Sequence, residues 1–124
     1  MVKLSDKEYK EFIRWANKKV AQLGLKNWKV YYDRLPMPND YACTTTDPKG
    51  MVATIAIADE MNEINYDSLE IRETAYHEVY HLLLAKLVHL ARSRYCTEEE
   101  IERAEEEIVV ALCNMDKRKE KKIT

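Results

Sequence analysis

The chain has 124 residues and a formal net charge of −2, and 46% of its residues are hydrophobic while 34% are charged. This length suits one compact domain and is short for two, so we expect a single domain over residues 1–124. The balanced charge offers no strong field to nucleic acid or to an anionic membrane, so neither is expected as a partner.

The first half of the chain predicts one helix followed by three strands. Ser5-Asp6-Lys7-Glu8 has the pattern of a capping box, and apolar residues at helical spacing follow it up to the first glycine. Aromatic and β-branched residues from Trp28 to Asp33 predict a strand, and Tyr41 to Thr46 is a candidate second strand. Turn residues at 47–50 precede a third predicted strand, Val52 to Ala58, so we expect a hairpin across that turn.

The second half predicts two long helices. One should begin at an N-cap of Asp67 or Ser68 and end near Arg94, and its leucines make it apolar nearly all round, as in a buried helix. Thr97-Glu98-Glu99-Glu100 is a second capping-box pattern, which opens a last helix. Residues 116–124 form a basic tail that we expect to be frayed. The order of helix, three strands and two helices predicts a small α+β domain.

Cysteine usage and the amino-terminal residues indicate the compartment. Cys43, Cys96 and Cys113 are odd in number and lack metal-binding spacing, which favours reduced thiols in a cytoplasm over a disulfide framework. The first ten residues are charged from Lys3 onward, and no apolar run reaches the length of a membrane-spanning helix. We therefore expect a cytoplasmic location, with neither secretion nor membrane insertion.

His77-Glu78-Val79-Tyr80-His81 is the segment that carries chemistry. The two histidines lie four residues apart, so on a helix their imidazoles project from one face and can share a metal ion. Glu78 stands beside that metal position, where its carboxylate can take a proton from an activated water. Buried histidine and glutamate need partners, which makes a chance occurrence on this apolar helix less probable than a site. The segment predicts zinc bound by His77 and His81, with Glu78 as the general base.

A catalytic zinc normally has three protein ligands, so one more is required. The extended motif with a third histidine is excluded, because Leu84 and Leu87 stand where it needs glycine and histidine. At a period of 3.6 residues, Glu105 falls at the centre of the apolar stripe of the last helix and is the preferred ligand. Glu106 lies at the flank and is the alternative, whereas Glu107 points away. A solvated helix face accounts for Glu105 equally well.

The histidine-glutamate motif followed by a glutamate in the next helix resembles the gluzincins. Length and element order resemble the minigluzincins and short metallopeptidase-like proteins of phage and prophage genomes, over nearly the whole chain. The motif is specific for the zincin clan, whereas the subfamily rests on length and element order. The resemblance implies a zincin-like minimal domain: an N-terminal helix, a small three-stranded sheet, the motif helix and a C-terminal glutamate-bearing helix. It also implies Zn²⁺ as cofactor and a peptide or protein as substrate.

In zincins the strand before the motif helix commonly aligns the substrate as an added strand. By position Val52 to Ala58 is its counterpart, although a plain core strand accounts for that segment equally well. Two further residues give weaker indications. Cys43 could hold a zinc ion in a latent state, but a lone loop cysteine carries little weight. His89 lies too far along the helix to share a metal with His81, so a surface role is expected.

Three functions remain open on the sequence. The leading hypothesis is a zinc-dependent metallopeptidase. The alternative is a catalytically weak or inactive zincin-like binding module that docks a partner protein. The resemblance to phage and prophage proteins extends this alternative to a phage-encoded module. Glu78 favours catalysis, because a purely structural zinc site has no use for an unliganded carboxylate. The third is a small helical interaction or DNA-associated factor with a fortuitous motif, which predicts no metal at all.

Overall fold

A computed structural model describes the backbone of residues 1–123 and the side chains of residues 1–116. The elements in chain order are β1 Val2–Lys3, α1 Asp6–Gln22, β2 Lys29–Leu35, β3 Ala42–Asp47, β4 Val52–Ala58, β5 Glu60–Met61, α2 Glu63–Ser68, α3 Ile71–Arg92 and α4 Glu98–Ile123. Helices and a small sheet are both present, which confirms the predicted α+β class. Among the helices described, none combines the length and the apolar character needed to cross a membrane.

The three-stranded sheet has the order β2–β4–β3, so β4 is the central strand. β2 runs parallel to β4, with Lys29 opposite Val52 at one end of the ladder. β3 runs antiparallel to β4, with Asp47 opposite Val52, which confirms the predicted hairpin across residues 47–50. A separate two-stranded ribbon pairs β1 with β5. This topology leaves β2 and β3 as the edges of the larger sheet.

Helix α1 forms as its capping box predicts. The Glu8 amide donates to Ser5 Oγ at 3.1 Å, and the Ser5 amide donates to the Glu8 carboxylate at 3.0 Å. The helix ends just before Gly24, whose φ of +72° lies in the left-handed region that favours glycine at a helix carboxyl end. Its buried face, which includes Phe12 and Ala16, packs against α3.

One face of the sheet, α1 and α3 enclose the main core. Its fully buried members are Phe12, Ala16, Leu23, Ile55, Ile57, Ala75 and Val79. Burying one large apolar side chain contributes about 1.5–3 kcal/mol, so this contiguous cluster is the main source of stability for the domain. It also fixes the height and rotation of α3 against the sheet, and α3 carries the histidine-glutamate motif.

The predicted start of the motif helix at Asp67 or Ser68 is wrong. Those residues close the short helix α2, and the Ser68 hydroxyl donates back to the Ile64 carbonyl at 3.0 Å instead of capping a new helix. Leu69 is extended, and α3 begins only at Ile71 after an N-cap, Glu70, that makes no side-chain capping bond. The prediction failed because only two residues separate the end of α2 from the start of α3, and no glycine or proline marks the break between the two helices.

The expectation that α3 is buried on all sides is also wrong. Leu84 and Val88 are 41% and 40% exposed, because α4 covers only part of the helix. The capping box that opens α4 is confirmed, since the Glu100 amide donates to Thr97 Oγ1 at 3.1 Å. The backbone of α4 continues through Ile123, and the side chains from residue 117 onward lie outside the described residues. The frayed tail at 116–124 therefore stays a prediction.

Candidate metal centre

His77 and His81 form a pair on one face of α3. Their Nε2 atoms are 3.2 Å apart, and the two rings meet at 74°. Two imidazole nitrogens bound to one tetrahedral zinc at about 2.0–2.1 Å are separated by about 3.3 Å, which matches this spacing. Both side chains are exposed, so a metal held between them can also reach solvent or a substrate. The pair fits two positions of a zinc site.

Glu78 lies beside the pair and is 5% exposed. The Thr44 hydroxyl, from the edge strand β3, lies 2.8 Å from Glu78 Oε1 and 3.1 Å from the Glu78 carbonyl oxygen. A buried carboxylate is costly without such a donor, so this bond sets the rotamer of Glu78 and ties α3 to the sheet. Thr44 was not predicted as a site residue, because nothing in the run Thr44-Thr45-Thr46 marks which hydroxyl faces the motif.

The motif faces a cleft of about 550 Å³ between β3 and α3. Its wall consists of Asp40, Ala42, Cys43, Thr44, Thr46, Pro48, His77, Glu78, His81, Ala85, Val88, His89 and Arg92. A smaller cleft of about 360 Å³ adjoins it, lined by Asp40, Tyr41, Ala42, Ser68, Leu69, Glu70, Glu73, Thr74, His77 and Glu78. His77 and Glu78 belong to both walls, so the candidate metal position lies where the two clefts meet.

Cys43 lies in the cleft wall, where burial is the main factor that raises the pKa of its thiol and the charges of Glu78 and Asp40 raise it further. Among the described side chains, Cys43 does not come together with His77 and His81 closely enough to share a metal ion. The structure therefore gives no support to Cys43 as a latent zinc ligand. His89 is exposed in the same wall, away from the histidine pair.

The predicted rotation of α4 is wrong. Among its described side chains, the buried ones are Ala104 and Ala111, each 5% exposed, whereas Glu105 is exposed with Ile101. Glu107, which was expected to point away, forms an ion pair with Lys86 of α3 at 3.0 Å. On a helical wheel the buried stripe lies about a quarter turn from the one expected. Alanines are small and allow two helices to approach closely. The helical-wheel prediction took the larger aliphatic residues as the buried face of α4 instead.

The structure places neither predicted α4 ligand in the motif cleft. Glu106 lines a separate cavity of about 340 Å³ that includes Trp28 and Met51 and shares no residue with the cleft. Among the described side chains, no group of three His, Cys, Asp or Glu residues lies close enough to share a metal ion. The structure thus brings His77, Glu78 and His81 together and leaves Glu105 and Glu106 apart from them.

Of the two alternatives for Val52 to Ala58, the structure favours the plain core strand over the substrate-aligning strand. Val52–Ala58 is the central strand β4, with partners on both sides, so its backbone cannot pair with a third strand. The neighbouring strand β3 has β4 on one side only, and it forms the wall of the cleft. An extended peptide in the cleft would therefore pair with β3. Strand order cannot be read from the sequence of a hairpin, which is why position alone gave the wrong member of the pair.

Comparisons of the chain with protein-family profiles, with curated proteins and with solved structures find no match. The resemblance to gluzincins therefore depends on the motif and on element order, and the assignment of function depends on the site.

Proposed function

We propose that the protein is a zinc-dependent metallopeptidase in which His77 and His81 hold the metal and Glu78 is the general base. The observation that carries the proposal is the 3.2 Å separation of the two Nε2 atoms beside a buried, hydrogen-bonded carboxylate. A cleft bounded by an edge strand gives a peptide access to both groups. Two metal ligands, a general base and access for a peptide are part of what zinc-dependent peptide hydrolysis requires, and a third ligand completes the set.

The roles of the residues follow from their positions. Zinc, when bound, supplies a Lewis acid that polarises the scissile carbonyl and makes water more acidic. Glu78 accepts a proton from the attacking water and returns it to the leaving amine. Thr44 holds Glu78 Oε1 at 2.8 Å, so the carboxylate keeps one orientation through both transfers. The free edge of β3 aligns the substrate through backbone hydrogen bonds.

For the third ligand, the proposal keeps the sequence-based prediction, which is Glu105 or, alternatively, Glu106. Neither lies in the wall of the motif cleft, so either one can join the histidines only if α4 shifts against α3. Among its described side chains, α4 buries only the small residues Ala104 and Ala111. Metal binding should therefore be coupled to the packing of α4.

A zincin-like binding module remains the second candidate, and the exposed apolar residues of α3 and α4 favour it. Leu84, Val88, Val109, Val110 and Leu112 are all at least 40% exposed. Apolar side chains that are left exposed on two neighbouring helices are available to contact another protein. A module of this kind would bind its partner whether or not Glu78 is present.

Hydrolysis of casein and of a mixed peptide library by zinc-loaded protein tests the enzyme against the module. Glu78→Gln keeps the shape of the side chain but removes the base, and we expect it to lower turnover at least about a hundredfold, within the range for general-base catalysis. Glu102→Gln, an exposed amide substitution on α4, is the matched control and should behave as wild type. Equal turnover by the Glu78→Gln and wild-type proteins would refute the assigned role.

A further inference from the structure

The two ends of the motif cleft carry opposite charge. The smaller cleft has two charged residues that it does not share with the larger one, Glu70 and Glu73, and both are acidic. The unshared wall of the larger cleft contains Arg92, together with His81 and His89, and has no acidic side chain. Asp40 lies in the shared part beside His77 and Glu78. The charge therefore changes sign across the candidate metal position.

Within residues 1–116, whose side chains are described, these charges take part in no ion pair. In the part of the chain whose side chains are described, the ion pairs are Arg34–Asp6, Lys86–Glu107 and Arg103–Glu99. Glu70, Glu73 and Arg92 take part in none of them, and all three are exposed. Lys86 lies near the basic end, but Glu107 already neutralises it at 3.0 Å. The remaining charges face the cleft and are available to a ligand.

The spacing of the charges suits an extended peptide. Arg92 lies 11 residues beyond His81 and Glu73 lies four residues before His77, which places them about 16 Å and about 6 Å from the pair along the helix axis. The span from Glu73 to Arg92 is about 28 Å, the length of about eight residues of extended chain. β3 runs in the same direction along the cleft, because Ala42 lies in the part that the two clefts share and Thr46 lines only the larger cleft.

We propose that the cleft selects an extended peptide of about eight residues whose charge changes sign at the bond beside the metal position. Basic side chains of the peptide lie over Glu70 and Glu73, and acidic side chains lie over His89 and Arg92. Antiparallel pairing with β3, the more stable arrangement per residue, places the acidic half of the peptide on its amino-terminal side. This peptide is the substrate class of the proposed peptidase. The inference rests on the proposed function, because the metal position is taken from it.

Two labelled octapeptides of equal composition and zero net charge test the proposal. One reads three glutamates, two alanines and three lysines, and the other has the reverse order. Binding is measured by fluorescence anisotropy on the zinc-loaded Glu78→Gln protein and again after chelation, so the result does not depend on turnover. We expect the first peptide to bind about tenfold more tightly at low ionic strength, and the ratio to shrink with added salt.

Charge reversal at both ends supplies the decisive variant. Glu73→Lys combined with Arg92→Glu should invert the preference, whereas the control Lys26→Glu combined with Glu102→Lys, at exposed positions outside the cleft, should keep it. The wild-type cleft could instead prefer the reverse peptide, and the charge-reversed variant could prefer the first one. That result would support the charge pairing, with the peptide parallel to β3. Equal binding of the two peptides, or a preference that charge reversal does not invert, would overturn the proposal. Absence of hydrolysis by wild type would count against the peptidase alone.

Discussion

The packing of α3 against α1 and the sheet differs from its packing against α4. On the first side, Phe12, Ile55 and Val79 are fully buried in one cluster. On the second side, the buried residues of α4 among the described side chains are Ala104 and Ala111, of which Ala111 belongs to the same cluster as Phe12, while Val110 and Leu112 stay 48% and 40% exposed. The motif helix is thus held firmly by one neighbour and loosely by the other.

This difference decides which parts of the site are preformed. His77, Glu78 and His81 sit on the helix that the main core fixes, and Thr44 comes from a strand of the same core. The predicted third ligand sits on the loosely packed helix. Side chains on a well-packed scaffold keep a productive geometry, whereas those on a weakly packed element need a ligand to order them. We therefore expect His77, Glu78 and His81 to be rigid and the third ligand to be adjustable.

The largest expected effect separates the two sides by stability. Phe12→Ala should lower the free energy of unfolding by about 3–5 kcal/mol, because it leaves a cavity in a fully buried cluster. Leu112→Ala should cost less than about 1.5 kcal/mol, because the side chain is already partly hydrated. Urea unfolding followed by circular dichroism measures both. Similar losses for the two variants would mean that α4 is packed as firmly as α1.

The second prediction concerns zinc and α4. Zinc at a hundred times its Kd should stabilise the fold by about 2.7 kcal/mol, and chelation should lower the Tm accordingly. If α4 supplies the third ligand, Glu105→Ala should weaken zinc binding at least about tenfold, in the range of a lost metal contact. Glu102→Ala is the control on the same helix.

The outcomes of that titration are distinct. Loss of zinc affinity in Glu106→Ala alone would place the other glutamate in the site and keep the α4 ligand. Wild-type affinity in both Glu105→Ala and Glu106→Ala would remove α4 from the site and leave the histidine pair as the only part of the ligand set still in place.

A smaller effect is expected at Thr44, which joins Glu78 to the sheet. Thr44→Val removes the donor to Glu78 and leaves a buried carboxylate oxygen unsatisfied, which should cost about 1–3 kcal/mol of stability. Thr44→Ser keeps the hydroxyl and should restore both stability and kcat, with zinc content unchanged in all three proteins. Thermal unfolding and steady-state kinetics measure these quantities. A serine variant as impaired as the valine variant would show that the methyl group, and not the hydrogen bond, is what matters.

The sequence predicts best where a local pattern is sufficient. The capping boxes at Ser5 and Thr97 form as expected, and so does the hairpin across residues 47–50, because their signals lie within a few residues. The four-residue spacing of His77 and His81 likewise requires only a helix. Tertiary choices were not predictable in the same way. Helix rotation depends on which face of α4 meets α3, and strand order depends on contacts across the whole sheet.

The rotation of α4 and the choice of the substrate strand depend on such tertiary contacts. Glu105 was placed by treating large aliphatic residues as the buried face, but α4 approaches α3 through Ala104 and Ala111. The substrate strand was placed by its position before the motif helix, but the edge of the sheet is β3. Thr44 was missed because its role exists only through a contact with Glu78, 34 residues away in the chain. Each of these needs the packed fold.

Elemental analysis of zinc in purified wild type, in Glu78→Gln and in His77→Ala combined with His81→Ala tests whether the histidine pair holds the metal. Glu78→Gln is the matched control, because it changes the motif without changing a proposed ligand. We expect one zinc per chain in wild type and in Glu78→Gln, and none above background in the double histidine variant. A full equivalent of zinc in the double histidine variant, or none in the wild type after loading, would contradict the assignment of the histidine pair as metal ligands.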